Sequence, residues 1–127
     1  MPDQPVELTE AEWAIIKTIW HLEPTTAPAV QEALASQTGW TYSTVRTLMD
    51  RMTAKGLLQA DKRGKVTLFK SAITQDEAQR GELLYALKHA FDGALTPMIQ
   101  GLIETRDLSE AELGEIEALI RHRKRRK

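Results

Sequence analysis

Apolar residues recur at every third or fourth position through most of this chain, and the rhythm breaks once, between Leu57 and Phe69. Helical periodicity of that extent predicts packed helices with a single short sheet. The first stripe, Trp13, Ile16 and Trp20 flanked by Ile15 and Ile19, follows Thr9-Glu10-Ala11-Glu12. In that spacing the Thr hydroxyl and the Glu carboxylate satisfy each other's orphaned backbone donors, which starts a helix ending near Leu22-Glu23-Pro24. Pro28 opens a second helix, because its missing N–H has no helical partner in a first turn, and Gly39 ends it. A third begins at Tyr42 or Ser43 and is closed by Gly56. Its residues Val45, Leu48, Met49 and Met52 point inward, and Ser43, Arg46, Thr47, Asp50 and Ala54 form the opposite face, with Thr44 and Arg51 on a flank.

At the break, Leu57–Ala60 and Val66–Phe69 read as two strands of a hairpin joined by the charged turn Asp61-Lys62-Arg63-Gly64-Lys65. Beyond Ala72, Thr74-Gln75-Asp76-Glu77 and Ser109-Glu110-Ala111-Glu112 repeat the capping spacing. Three more helices follow, striped by Leu83, Leu84, Leu87 and Phe91, by Leu95, Met98, Ile99 and Leu102, and by Leu113, Ile116, Leu119 and Ile120, with breaks at Gly93 and Arg106-Asp107. A stretch of about 50 such residues makes a thin core alone, because small units bury too little surface to offset chain entropy. A second copy joined through a two-fold interface is the most economical cover. The expected division is 1–73 for the helices and hairpin, and 74–127 for a helical dimerisation domain with a basic end.

The formal net charge of −1 conceals strong segregation. Between Thr41 and Lys70 there are seven bases, Arg46, Arg51, Lys55, Lys62, Arg63, Lys65 and Lys70, against Asp50 and Asp61. The flanking segments are acidic, and Arg121 to Lys127 holds six bases in seven residues. Local field rather than total charge decides what a surface attracts. Three helices followed by a basic hairpin are the order of a winged helix-turn-helix, whose third helix enters the DNA major groove. Ser43, Thr44, Arg46 and Thr47 offer hydroxyl and guanidinium groups to base edges, and Arg63 and Lys65 suit phosphates. Two alternatives use the same residues, a module that docks proteins through its third helix and a nonspecific architectural DNA binder. Against the first, the exposed face is polar and basic, where protein-binding faces centre on apolar or aromatic anchors.

Other classes find little support. The chain has no cysteine, which removes disulfides, thiolate metal sites and thiol catalysis. His21, His89 and His122 lie in three separate segments, so no metal or other cofactor is expected. Neither a nucleophile with its base nor a phosphate-cradling glycine loop is visible, and the chain does not read as an enzyme. Trp13 and Trp20 fall on the inward stripe, as core residues rather than stacking platforms. No apolar run reaches the ~20 residues of a membrane span, and Met1 to Glu10 lacks the pattern of a signal peptide, which together point to a cytoplasmic protein without membrane insertion.

The segment Gly39-Trp40-Thr41-Tyr42-Ser43-Thr44-Val45-Arg46-Thr47-Leu48-Met49-Asp50-Arg51-Met52, followed by Lys55-Gly56-Leu57-Leu58, resembles the core signature of the penicillinase-repressor family, the BlaI/MecI/CopY-type winged-helix regulators. The resemblance extends upstream through Leu8 to Trp13 and downstream through Gly64-Lys65, Ala72-Ile73-Thr74 and Asp107-Leu108-Ser109. It implies a homodimeric repressor of β-lactam-resistance-type genes that binds inverted-repeat operators with TACA/TGTA-like half-sites. By position, Thr41 to Lys55 is the base-reading helix, with Ser43, Thr44, Arg46 and Thr47 at bases and Thr41, Tyr42, Arg51, Arg63 and Lys65 at phosphates. Dimerisation falls to Leu83, Leu87, Phe91, Leu95, Met98, Ile99, Leu102, Leu113, Ile116 and Ile120. In the family a membrane sensor-protease relieves repression through cleavage in the dimerisation helices. The corresponding bond is Gly101–Leu102, where inducible members usually carry Asn-Phe. The copper-responsive branch uses a cysteine cluster that this chain lacks. Arg121 to Lys127 has no typical family counterpart and has three readings: a solvated helix end that complements the dipole, an added nonspecific DNA contact, or a contact with anionic membrane.

Overall fold

The computed structural model describes residues 6–126. The expectations that fall on residues 1–5 and on Lys127, part of the signal-peptide reading and the last base of the tail, lie outside the described residues. The elements are α1 (Glu10–Leu22), α2 (Ala27–Thr38), α3 (Tyr42–Ala54), β1 (Leu58–Arg63), β2 (Val66–Ser71), α4 (Gln75–Phe91), α5 (Leu95–Thr105) and α6 (Glu110–Arg125). They group into two compact units, one ending at Tyr85 and one starting at Ala86.

The helix starts follow the sequence chemistry. Thr9 accepts from the N–H of Glu12 and the Glu12 carboxylate accepts from the N–H of Thr9, the reciprocal pair that caps α1. Thr26 caps α2 and Thr41 caps α3 through N–H donors three residues on. Gly39 ends α2 at φ +67, a left-handed conformation that costs a residue without Cβ little. The antiparallel hairpin is longer than its apolar residues suggest, pairing Lys62 with Thr67 and Arg63 with Val66. Ladder bonds are made by backbone groups, so charged side chains on an exposed edge do not end a strand. What reverses the chain is the two-residue loop Gly64-Lys65, with Gly64 at φ +63.

In the first unit Ile15, Ile16, Ile19, Val30, Val45, Met49, Met52 and Phe69 are fully buried together. The hairpin is tied to this core by backbone bonds between Thr25 and Phe69, at 3.0 and 2.7 Å, so the α1–α2 connection runs along β2. Trp13 and Trp20 pack edge to face at 6.3 Å, and their indole N–H groups donate to Glu82 and to the Ile73 carbonyl. The sequence boundary at 73/74 follows the end of the hairpin. The first turns of α4 nevertheless pack into the first unit, with Ala78 and Gly81 buried. At Gly81 an added Cβ would lie 1.8 Å from the Val6 carbonyl oxygen. Gly81→Ala therefore expels the Val6–Leu8 segment from α4. Lost packing outweighs the gain in helix propensity, for a net cost of about 1–2 kcal/mol in urea unfolding. A raised midpoint would mean that this segment contributes nothing.

Glu12 is 4% exposed and does more than cap: its second carboxylate oxygen takes Lys55 Nζ at 2.5 Å, tying the start of α1 to the end of α3. Burial alone would raise its pKa, but the bonds from Lys55 and Thr9 prevail and hold the carboxyl below its ordinary 4.5. A depressed folded value contributes stability above pH 4.5 that is lost as pH falls through it. Lys55→Met should cost about 1–2 kcal/mol near neutral pH, by leaving a buried carboxylate underpartnered. It should also lose less than the wild type on further acidification, a comparison read from denaturant midpoints at pH 7 and pH 4.

The second unit contains the end of α4, α5 and α6. No residue of α5 or α6 is buried. Leu95, Leu102 and Leu119 are 57%, 51% and 70% exposed, and Ile99, Leu113 and Ile120 are exposed as well. Leu87, Phe91, Met98 and Ile116 are half-buried, while Leu83, in the first unit, is exposed. Among the described residues no helix is long and apolar enough to cross a membrane.

Candidate nucleic-acid interface

α3 presents a polar outer face because its apolar residues are used up inward by Val45, Met49 and Met52. Ser43, Thr44 and Thr47 are exposed on it, and Arg46 is half-buried. Ser43 and Thr47 have hydroxyls without a hydrogen-bond partner among the described residues. The Thr44 hydroxyl instead accepts from Thr41 Oγ1 at 3.2 Å, within the cap of the helix. The Thr44 hydroxyl is thus engaged in the first turn of the helix.

Arg46 joins the helix to the hairpin. Its Nε donates to both Asp50 carboxylate oxygens, at 3.1 and 3.3 Å, and its guanidinium lies 5.5 Å from the centroid of the buried Phe69 ring on β2. Hydrogen bonding to Tyr42, and then to Asp50, raises its already high basicity. The guanidinium is therefore a fixed cation, aimed by three neighbours rather than free in solvent. Sequence spacing gave Arg46 its face but not this support, because Phe69 lies more than twenty residues away in the chain.

Arg51, Lys62, Arg63, Lys65 and Lys70 of the basic window are exposed as well. Arg51 is exposed one turn before the end of α3, and Tyr42 is 46% exposed at its start beside the capping Thr41. Arg63 closes β1 with its Nε on Asp61 at 2.9 Å, and its side chain is 71% exposed. Lys65 occupies the loop tip. A protruding helix face with hydroxyls and one anchored guanidinium, beside a cationic hairpin, can meet base edges with the helix and phosphates with the hairpin. Lys55, counted among the seven bases, is spent on Glu12. Among the described residues no group of three His, Asp or Glu side chains could hold a metal ion.

Comparisons with known proteins agree with this geometry. Residues 8–122 match the family model described as penicillinase repressor. The methicillin resistance regulatory protein MecI of Staphylococcus aureus strain N315 is 23% identical over 120 residues, covering 94% of this chain and 98% of that protein. The penicillinase repressor of Bacillus licheniformis is 25% identical over 121 residues, covering 95% and 94%. Among solved structures, the DNA-binding domain of the repressor BlaI superposes with a TM-score of 0.51 at 25% identity, over 56% of this chain and 87% of that one. The Bacillus licheniformis BlaI monomer in complex with the blaP half-operator gives 0.50 at 24% identity, over 58% and 90%. These are winged-helix units, the fold built here by α1 to α3 and the hairpin. A family match over nearly the whole chain, joined to that fold, means that the chain belongs to the penicillinase repressor family.

Proposed function

We propose that this protein binds inverted-repeat operators as a homodimer, each copy setting α3 in a major groove and its hairpin on the flanking phosphates. By its family it is a DNA-binding transcriptional repressor and not an enzyme. The observation that carries the operator reading is the exposed polar face of α3, with Arg46 anchored by Asp50 and Phe69 beside the cationic hairpin. The homodimer is supported by the uncovered apolar residues of α5 and α6. Ser43, Thr44, Arg46 and Thr47 read bases in this scheme, while Thr41, Tyr42, Arg51, Arg63 and Lys65 hold phosphates. Leu83, Leu87, Phe91, Leu95, Met98, Ile99, Leu102, Leu113, Ile116 and Ile120 close the dimer, which makes the residues beyond the hairpin the dimerisation domain. The candidate bond for cleavage by a membrane sensor-protease is Gly101–Leu102, where the Asn-Phe of inducible members is absent. That bond lies inside α5, so the helix must open locally before a protease can take it as extended chain.

The test is fluorescence anisotropy with a TACA/TGTA inverted-repeat duplex and a scrambled one at two salt concentrations. A preference of about a thousandfold or more supports specific repression. Equal, salt-sensitive binding would indicate an architectural binder, and no binding at low salt a protein-docking module. Arg46→Ala is expected to cost about 1–3 kcal/mol per half-site and to relax discrimination at one base pair. Arg63→Ala should weaken both duplexes alike and flatten the salt dependence, so a sequence-selective loss would move Arg63 to base reading.

A further inference from the structure

Asp50 is the only acid of α3, and it is exposed on the outer face that carries Ser43, Arg46 and Thr47. A carboxylate there repels phosphate, so by itself it costs affinity for DNA of every sequence. Helix stability does not account for it. Asp is a poor residue for a helix interior, the Asp50 side chain is 57% exposed, and base before acid is the weaker order for charges four residues apart. Among the described residues the carboxylate has one partner, the Nε–H of Arg46, which both oxygens accept at 3.1 and 3.3 Å. The same guanidinium lies 5.5 Å from the centroid of the Phe69 ring.

We infer that Asp50 is a positioning residue for sequence discrimination: it holds the Nε edge of Arg46, so that the guanidinium meets guanine through its Nη groups and does not settle on a phosphate. The inference rests on the operator reading above, in which Arg46 reads a base. Arginine has five N–H donors, one on Nε and four on Nη1 and Nη2. With Nε occupied, the end-on approach is the one that still offers two parallel bonds to O6 and N7 of guanine. An unpaired Arg46 is free to swing to the backbone, where a contact carries no sequence information. Beside Asp50 it brings no net charge to the phosphates. The pair therefore contributes to binding where a guanine completes it, and contributes little elsewhere.

Anisotropy of the full-length protein on the inverted-repeat and scrambled duplexes tests this through Asp50→Ala, Arg46→Ala and the double variant. Both side chains lie at the surface of α3, and urea midpoints confirm that each variant is folded. Asp50→Ala should bind the scrambled duplex about threefold more tightly, with a salt slope steeper by about one per copy, because the released Arg46 gains a phosphate. Its preference for the inverted repeat should fall about tenfold. With Arg46 already replaced by Ala, the same change at Asp50 should tighten both duplexes alike and leave the preference within about threefold. A preference that Asp50→Ala leaves unchanged in the presence of Arg46 overturns the inference, and Asp50 then acts through its charge alone. An equal fall with and without Arg46 also overturns it, and makes Asp50 itself a base reader that accepts from cytosine N4. A wild type without preference for the inverted repeat overturns the operator reading and this inference with it, an outcome distinct from a discriminating protein indifferent to Asp50.

Discussion

Phe69→Ala is expected to lower the unfolding free energy of the first unit by about 3–5 kcal/mol, the range for removing a buried aromatic ring and leaving a cavity. Phe69 is 1% exposed, and it belongs at once to β2, to the common core and to the backbone bridge with Thr25. A loss of that size takes a large part of the stability of a small domain. The same ring supports the Arg46 guanidinium. Phe69→Leu separates the two roles, because it keeps an apolar side chain in the core and removes the ring face. Its stability cost should be about 1–2 kcal/mol. Operator binding should also weaken by about 0.5–1 kcal/mol per half-site beyond any fraction unfolded, the worth of a half-exposed cation–π contact. Urea denaturation checks the first effect, and anisotropy on folded protein the second. Operator affinity unchanged in Phe69→Leu would show that Asp50 and Tyr42 suffice to aim Arg46.

The elements that could be read from the sequence are those set by local chemistry. Thr9 with Glu12, Thr74 with Glu77 and Ser109 with Glu112 mark helix starts through bonds between residues three apart, and each forms as expected. The winged-helix order was also legible, because the one interruption of helical rhythm coincides with the basic window. What the sequence hid is tertiary. Glu12 reads locally as a cap, and nothing nearby announces that Lys55 will reach it from forty-three residues away. Gly81 reads as an unremarkable helical glycine until the Val6 backbone is seen lying against it. The face of Arg46 follows from its helical position, but its anchoring needs the hairpin to have folded back. The exposed stripes of α5 and α6 are a different case. The sequence gives them helical period without a surface to cover, and a single chain half-buries Met98 and Ile116 but leaves Leu95, Leu102 and Leu119 more than half exposed.

Ile99→Asp is therefore the substitution expected to act furthest from the DNA. Ile99 is 42% exposed on α5, in line with Leu95, Leu102 and Ile103, which are also exposed. A carboxylate placed there costs the single chain little, since the site faces water. In a dimer the same group must be desolvated against apolar residues without a partner. The protein should become monomeric at concentrations where the wild type is dimeric, as read by sedimentation. Two linked half-site contacts then become two independent ones, so affinity for the inverted repeat should fall about 10²- to 10⁴-fold. Affinity for a single half-site duplex should stay within about threefold, because the core around Ile16, Met49 and Phe69 contains no residue of α5. Equal losses on both duplexes would place the damage in the DNA-binding unit. A variant that remains dimeric and fully active on the inverted repeat would remove this face of α5 from the interface and leave the dimer to α6 and the end of α4.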